Sequence, residues 1–192
     1  MLTCRFLAQT ATLYSFEIEL AHVDRGVYAS LAFRVAQHPS ETGEALLTRV
    51  LAYCLEYTDG IQFSSQGLSE PDEPPISIRD ATGAIRAWIE IGVPDASRLH
   101  KASKAAPRVA VYTHKDPMRL VRLLEGERIH RREALEIYGV DRDFLAAWLA
   151  LLNRRMKFDL SVSDGQIYLV LDEATLAGAV VAQSSVPGEA HR

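Results

Sequence analysis

Glu44, Asp72, Glu90 and Lys101 are the residues whose types and spacing could do chemistry in this chain. Carboxylates arriving from separate elements, with a lysine nearby, suit magnesium- or manganese-dependent phosphodiester hydrolysis. Magnesium binds through one or two carboxylates plus waters and phosphate oxygens. A cation held in this way activates water and stabilises the leaving oxygen, and a lysine steadies charge on the phosphoryl group. Asp72 and Glu90 are the expected metal ligands, with Glu44 completing the shell or orienting a water. Ser40, Glu41, Glu73 and Trp88 are secondary candidates.

These groups need elements to position them. The midpoint between Asp72 and Glu90 falls inside the turn Asp80–Gly83. A hairpin closed there puts Asp72 or Glu73 opposite Glu90 to within one or two residues of register, roughly 5 Å away across paired strands. In the strand 84–91, Ile85, Ala87, Ile89 and Ile91 face one way. Arg86, Trp88 and Glu90 face the other. Trp88 could stack on a base, although a core or rim tryptophan is commoner.

His38-Pro39-Ser40-Glu41 opens a helix, with Ser40 as a plausible cap and Leu47, Val50, Leu51 and Cys54 as its apolar stripe. Glu44 extends that stripe. Glu41 is rotated off it and reads as an acid favoured by a helix N-terminus. In the helix from Asp95 to about Ala106, Leu99, Ala102, Ala105 and Ala106 mark the packed side. Lys101 flanks that side, while Lys104 and His100 point away. A single helical lysine is more often a solvated charge.

Alternating runs at 12–36 and 158–171 predict a hairpin towards each end of the chain. The second turns on Asp164-Gly165, a pair that type I′ turns favour. Between them the pattern predicts short strands at 76–79, 109–113 and 134–138, and helices near 117–125 and 142–154. The fold class is therefore α/β, with a mixed central sheet flanked by helices. Residues 1–184 read as one domain and 185–192 as a flexible tail.

Composition narrows the function classes. Apolar residues make up 48% of 192, enough for a full core. No apolar run approaches the roughly 18 residues of a membrane span. Cys4 and Cys54 lack metal-ligand spacing and read as reduced thiols of a cytoplasmic protein. Net charge is −4, which argues against a strongly basic nucleic-acid coat. Yet Asp95–Arg132 holds ten Lys/Arg against four Asp/Glu. That basic stretch, mainly 98–132, could meet nucleic acid beside the carboxylates, although solvated helix faces are the plainer reading.

The segment His38-Pro-Ser-Glu-Thr-x-Glu44, the run Asp72-Glu73-Pro74, the stretch Trp88-Ile-Glu-Ile-Gly-Val-Pro-Asp95 and Lys101 together resemble the bacterial YaeQ family over nearly the whole chain. The resemblance implies a variant of the PD-(D/E)XK, restriction-endonuclease-like fold. Glu44 (or Glu41) would take that fold's helix acid, Asp72 its hairpin aspartate and Glu90 its strand glutamate. Gly92 stands where the strand lysine is usual, and Lys101 would replace it from the following helix. The alternatives are a non-catalytic module for nucleic acid or protein on the same scaffold, linked to transcription, and a phosphodiesterase for small nucleotides.

Overall fold

The computed structural model describes residues 11–64 and 73–183. The alternating runs near the start become β1 (Thr12–His22) and β2 (Val27–Gln37), paired antiparallel from Thr12↔Gln37 to His22↔Val27. Then follow α1 (Gly43–Leu55), β3 (Ile61–Phe63), β4 (Ile76–Arg79) and β5 (Ile85–Ile91). Next come α2 (Ala96–Ala105), β6 (Arg108–Thr113), α3 (Pro117–Leu123) and β7 (Leu135–Val140). The chain continues through α4 (Arg142–Ala150), β8 (Arg155–Ser163), β9 (Gln166–Leu171) and β10 (Ala174–Gln183). The β8–β9 turn has Asp164 and Gly165 both at positive φ, 53° and 70°, as a type I′ turn requires.

The strands form one mixed sheet in the order β2-β1-β8-β9-β10-β7-β6-β5-β4-β3. Strands β5, β6 and β7 are parallel, with α2 and α3 as crossovers. The sheet curls almost into a barrel. Its two edge strands approach each other through the rings of Phe33 on β2 and Phe63 on β3, 5.2 Å apart. Tyr53 of α1 packs against both, at 4.9 and 4.3 Å.

This curl changes what α1 must be. A helix against a flat sheet needs one apolar stripe, the pattern the sequence predicts. Here residues 45–52 are all buried, as are Cys54 and Leu55, because the sheet wraps around the helix. A helix enclosed on all sides is apolar on all sides. Its two buried polar side chains are satisfied locally. Thr48 Oγ1 donates to the Glu44 carbonyl at 2.7 Å, and Arg49 is paired with Glu41. Helix α4 lies against α1 and β10, while α2 and α3 cover the outer face of β5–β6–β7 over Trp88, Leu99, Val111, Leu120 and Ile137.

Some elements differ from expectation. Thr42, not Ser40, caps α1, its Oγ1 accepting the Ala45 N–H at 3.3 Å. The helix starts later than the Pro39 signal suggests, and Ser40 Oγ instead meets His38 Nδ1 at 2.6 Å. The β4–β5 ladder shifts by one residue between Ile78 and Arg79, so Ile85 falls on the Trp88 side rather than with Ile89 and Ile91. Helix α4 stops at Ala150, short of Arg154. Strand β3 is only three residues long, and β10 carries too few large residues to show a period. In β10, Gly178 has no Cβ because one would sit 2.5 Å from Phe144 Cβ, where α4 rests on the strand. Among the described residues no helix is long and apolar enough to cross a membrane.

Candidate functional site

Glu90 lies near the end of β5 on the outer face, beside Trp88 and beneath α2, and is 2% exposed. Its Oε1 accepts two N–H groups, Nε1 of Trp88 and Nε of Arg98, each at 2.6 Å. The Arg98 guanidinium stands 5.9 Å from the Trp88 ring centroid and donates from Nη2 to the Glu73 carbonyl at 2.9 Å. Burial pushes the Glu90 carboxyl above its ordinary range, opposed by the Arg98 charge and the two hydrogen bonds. Asp95 fixes the start of α2. Its Oδ1 accepts the Arg98 N–H at 2.8 Å, so the cap that begins the helix also sets where Arg98 stands.

Sequence reasoning favoured Lys101 here and missed Arg98. A signal was present. Arg98 precedes the buried Ala102 by one helical turn and so shares its face. Lys101 is exposed on the same helix, three residues further on. Gly92 explains why β5 carries no lysine two residues after Glu90. The strand has ended at Ile91, and Gly92 turns the chain at φ +88° towards α2. An L-residue there is strained whatever the space.

Asp72 lies outside the described residues. The described ladder pairs Ile76 with Ile89, so the next step puts Pro75, not Asp72 or Glu73, across from Glu90. The Asp72–Glu90 midpoint lies at residue 81, whereas Arg79↔Ile85 centres the hairpin on residue 82 and the bulge between Ile78 and Arg79 adds one further residue of offset. Glu73 still reaches this region through its backbone, held by Arg98, while its carboxylate accepts Ser64 Oγ at 3.0 Å. Trp88 is buried in the outer core and acts through its indole N–H rather than as a base-stacking surface.

Glu41 is enclosed in a forked ion pair with Arg49, at 3.0 and 2.8 Å, and Arg49 also donates to the Ala36 carbonyl at 2.9 Å. Burial raises the Glu41 carboxyl and lowers the Arg49 guanidinium, each opposed by its partner. This pair ties β2 to α1 inside the curl. Glu44 instead opens onto a cleft of about 510 Å³ at the C-terminal ends of β6 and β7, with His114, Lys115, Asp141, Arg142 and Asp143. The Glu44 carboxyl is held below its ordinary range by its own backbone N–H and the Thr42 hydroxyl.

Helix α1 packs on the inner face of β5 and β6, and α2 on the outer face, so Glu44 and Glu90 belong to opposite faces of the sheet. Among the described residues no three His, Cys, Asp or Glu side chains gather to hold a metal ion. The basic stretch is partly internal. Arg108 is paired with Glu56 and Glu136, and Arg131 donates to the carbonyls of Ser103, Ala106 and Pro107. Lys101, Lys104, Lys115 and Arg119 remain exposed.

Comparison with known proteins places this geometry among relatives. A family model described as YaeQ protein matches residues 7–179. The uncharacterized YaeQ protein of Escherichia coli K12 is 31% identical over 171 residues, covering 88% of this chain and 94% of that protein. That of Salmonella typhi is 31% identical over 164 residues, covering 85% and 90%. The crystal structure of the YaeQ protein from Xanthomonas axonopodis pv. citri superposes with a TM-score of 0.81 at 33% identity, covering 91% of this chain and 99% of that one. That from Pseudomonas syringae gives 0.80 at 30%, covering 95% and 99%.

Proposed function

The chain belongs to the YaeQ family, and from that premise we propose that it is a magnesium- or manganese-dependent phosphodiesterase acting on nucleic acid, built on a variant of the PD-(D/E)XK fold. The observation that carries the reading is Glu90. It is a deeply buried carboxylate at the end of a parallel strand, with Arg98 against it and Lys101 on the next turn of α2. Buried acids with a specific charge partner near a strand end are candidates for function.

The donor chemistry fits a hard cation. Glu90 supplies one carboxylate and Asp72 would supply a second, within the one or two that magnesium uses. Bound there, the cation would polarise water and the phosphoryl oxygens. The residues of the chain do the rest. Trp88 Nε1 holds the Glu90 carboxylate in orientation. Arg98 moves from the carboxylate to the incoming phosphate, to which a guanidinium fork is matched. Lys101 adds a second positive charge on the same helix. Glu44, across the sheet, belongs to the neighbouring cleft in this reading and not to the metal shell.

A second reading rests on one observation. Oε1 of Glu90 already has two donors, and Arg98 supplies the positive charge that a metal would bring. A scaffold held in that state would bind nucleic acid without cleaving it. Calorimetric titration with Mn²⁺ and Mg²⁺ separates the two. The enzyme reading expects binding in the millimolar range or tighter that folded Glu90→Gln abolishes. No binding, or equal binding by the variant, leaves the second reading.

A further inference from the structure

The inner face of the curled sheet is spent on α1 and α4, with clefts of about 510 and 410 Å³ at the two ends of α1. On the outer face, α2 and α3 cover β5–β6–β7. Over β2, β1, β8 and β9 the outward side chains are exposed or half-buried. A sheet face left to water is normally polar. This one also carries Tyr28, Tyr168 and Val170, which are 68%, 45% and 40% exposed.

The strand register sorts this face into rows. Arg34, Ser15 and Arg155 form the first, and Ala32, Glu17 and Lys157 the second. Ser30, Glu19, Asp159 and Val170 follow, then Tyr28, Ala21, Ser161 and Tyr168. Cations therefore lie towards one end of the strands, acids across the middle and tyrosines at the other end. Among the described residues none of these three cations and three acids is in an ion pair. The charges are unspent within the chain. Their balance disfavours a polyanion, which needs an excess of cations. Their separation along the strands suits a surface that meets itself in reverse, as a two-fold interface requires.

We infer that the outer face of β2–β1–β8–β9 is the interface of a homodimer, its partner a second copy of this chain. A two-fold axis across β1 and β8, between the Lys157 and Asp159 rows, reverses the strands of the second copy. It sets Lys157 over Asp159 and the arginine row over the tyrosine row, where a guanidinium and an aromatic ring attract. Glu17 meets Glu19 across the axis, with Lys157 beside them. A recess of about 280 Å³ between Arg34 and Arg155 gives the tyrosine end of the second copy a place to seat. The curl makes the face convex, so contact centres on β1 and β8. Four strands about 4.8 Å apart and about 26 Å long offer roughly 500 Å² per copy. The total of roughly 1,000 Å² lies at the low end for a specific interface, so the dimer should be a weak one, with a Kd of roughly micromolar order. This surface is separate from Glu90, and the inference stands whether or not the chain cleaves phosphodiesters.

The test is analytical ultracentrifugation of the full chain over a concentration series at low and high salt. The wild type should pass from monomer to dimer, and salt should weaken the dimer. Lys157→Glu and Asp159→Lys are exposed substitutions that leave the core alone. Each should weaken its own dimer by about tenfold or more, because like charges then meet twice across the axis. Mixing the two variants puts opposite charges together again and should restore a heterodimer. A chain monomeric at every concentration overturns the inference, whatever else covers the face. So does a dimer indifferent to both variants, or a mixture that stays monomeric. A single-stranded oligonucleotide that shifts the Tyr28 and Tyr168 resonances of a strictly monomeric chain would give the face to nucleic acid instead.

Discussion

Removing the Glu90 carboxylate leaves two buried donors, Trp88 Nε1 and Arg98 Nε, without an acceptor. Glu90→Ala should therefore cost about 3–5 kcal/mol, the usual effect of breaking a buried pair from one side. Glu90→Gln keeps an acceptor oxygen and should cost less, so it is the better probe of chemistry. Glu41→Gln breaks a pair of the same kind with Arg49 and should destabilise without altering metal binding. Urea denaturation beside metal titration checks both. Titration of buried groups adds a pH signature. Burial lowers His22 and His114 below the ordinary 6.5. Between that lowered value and 6.5 the unfolded chain binds more protons, so stability falls as pH drops below about 6.5. Glu56 is raised by burial but lowered further by Arg108 and Tyr112, and its contribution is lost below about 4.5, as the pH falls through its depressed value. Urea midpoints at about pH 7.5 and about pH 5.5 should differ, and His114→Gln should shrink the difference. At this scale the sequence showed that Glu90 shares the Trp88 face. Its arginine partner was harder to see, because lysine is the residue such a site leads one to seek.

Gly92 and Asp95 show how elements decide what residues can do. Gly92→Lys restores the lysine of the general pattern in sequence but not in space. It should destabilise by about 1–2 kcal/mol, the cost of a left-handed backbone for an L-residue, and should not raise any activity. Asp95→Ala removes the α2 cap at a cost of about 1 kcal/mol. It should also loosen Arg98 from Glu90, read as a change in the Trp88 indole N–H resonance. Element types were legible wherever large residues alternated or recurred at helical spacing, as in β1, β2, β8 and β9. They were illegible in β10, where alanines and Gly178 replace large side chains so that α4 can approach. Register was only partly legible across β4–β5, because the turn closes one residue later than the Asp72–Glu90 midpoint and the bulge beyond it leaves no mark on the side-chain types.

The molecule as a whole is a sheet curled around a helix, and that curl is invisible to local patterns. The sequence supported a mixed sheet with helices but read α1 as carrying a single apolar stripe. In the structure α1 is the centre of the inner core, so Leu51→Ala should cost about 2–5 kcal/mol. Truncating the exposed Leu123 of α3 should cost under about 0.5 kcal/mol. The curl also divides the chemistry. It puts Glu90 and α2 outside, Glu41 and Arg49 inside, and leaves clefts at either end of α1. The most direct measurement of the proposed function is cleavage of labelled single- and double-stranded DNA and RNA with Mn²⁺ or Mg²⁺ present or chelated. The account predicts metal-dependent cleavage by the wild type and its loss in folded Glu90→Gln. No cleavage of any of these substrates, or cleavage that survives in Glu90→Gln, would contradict it.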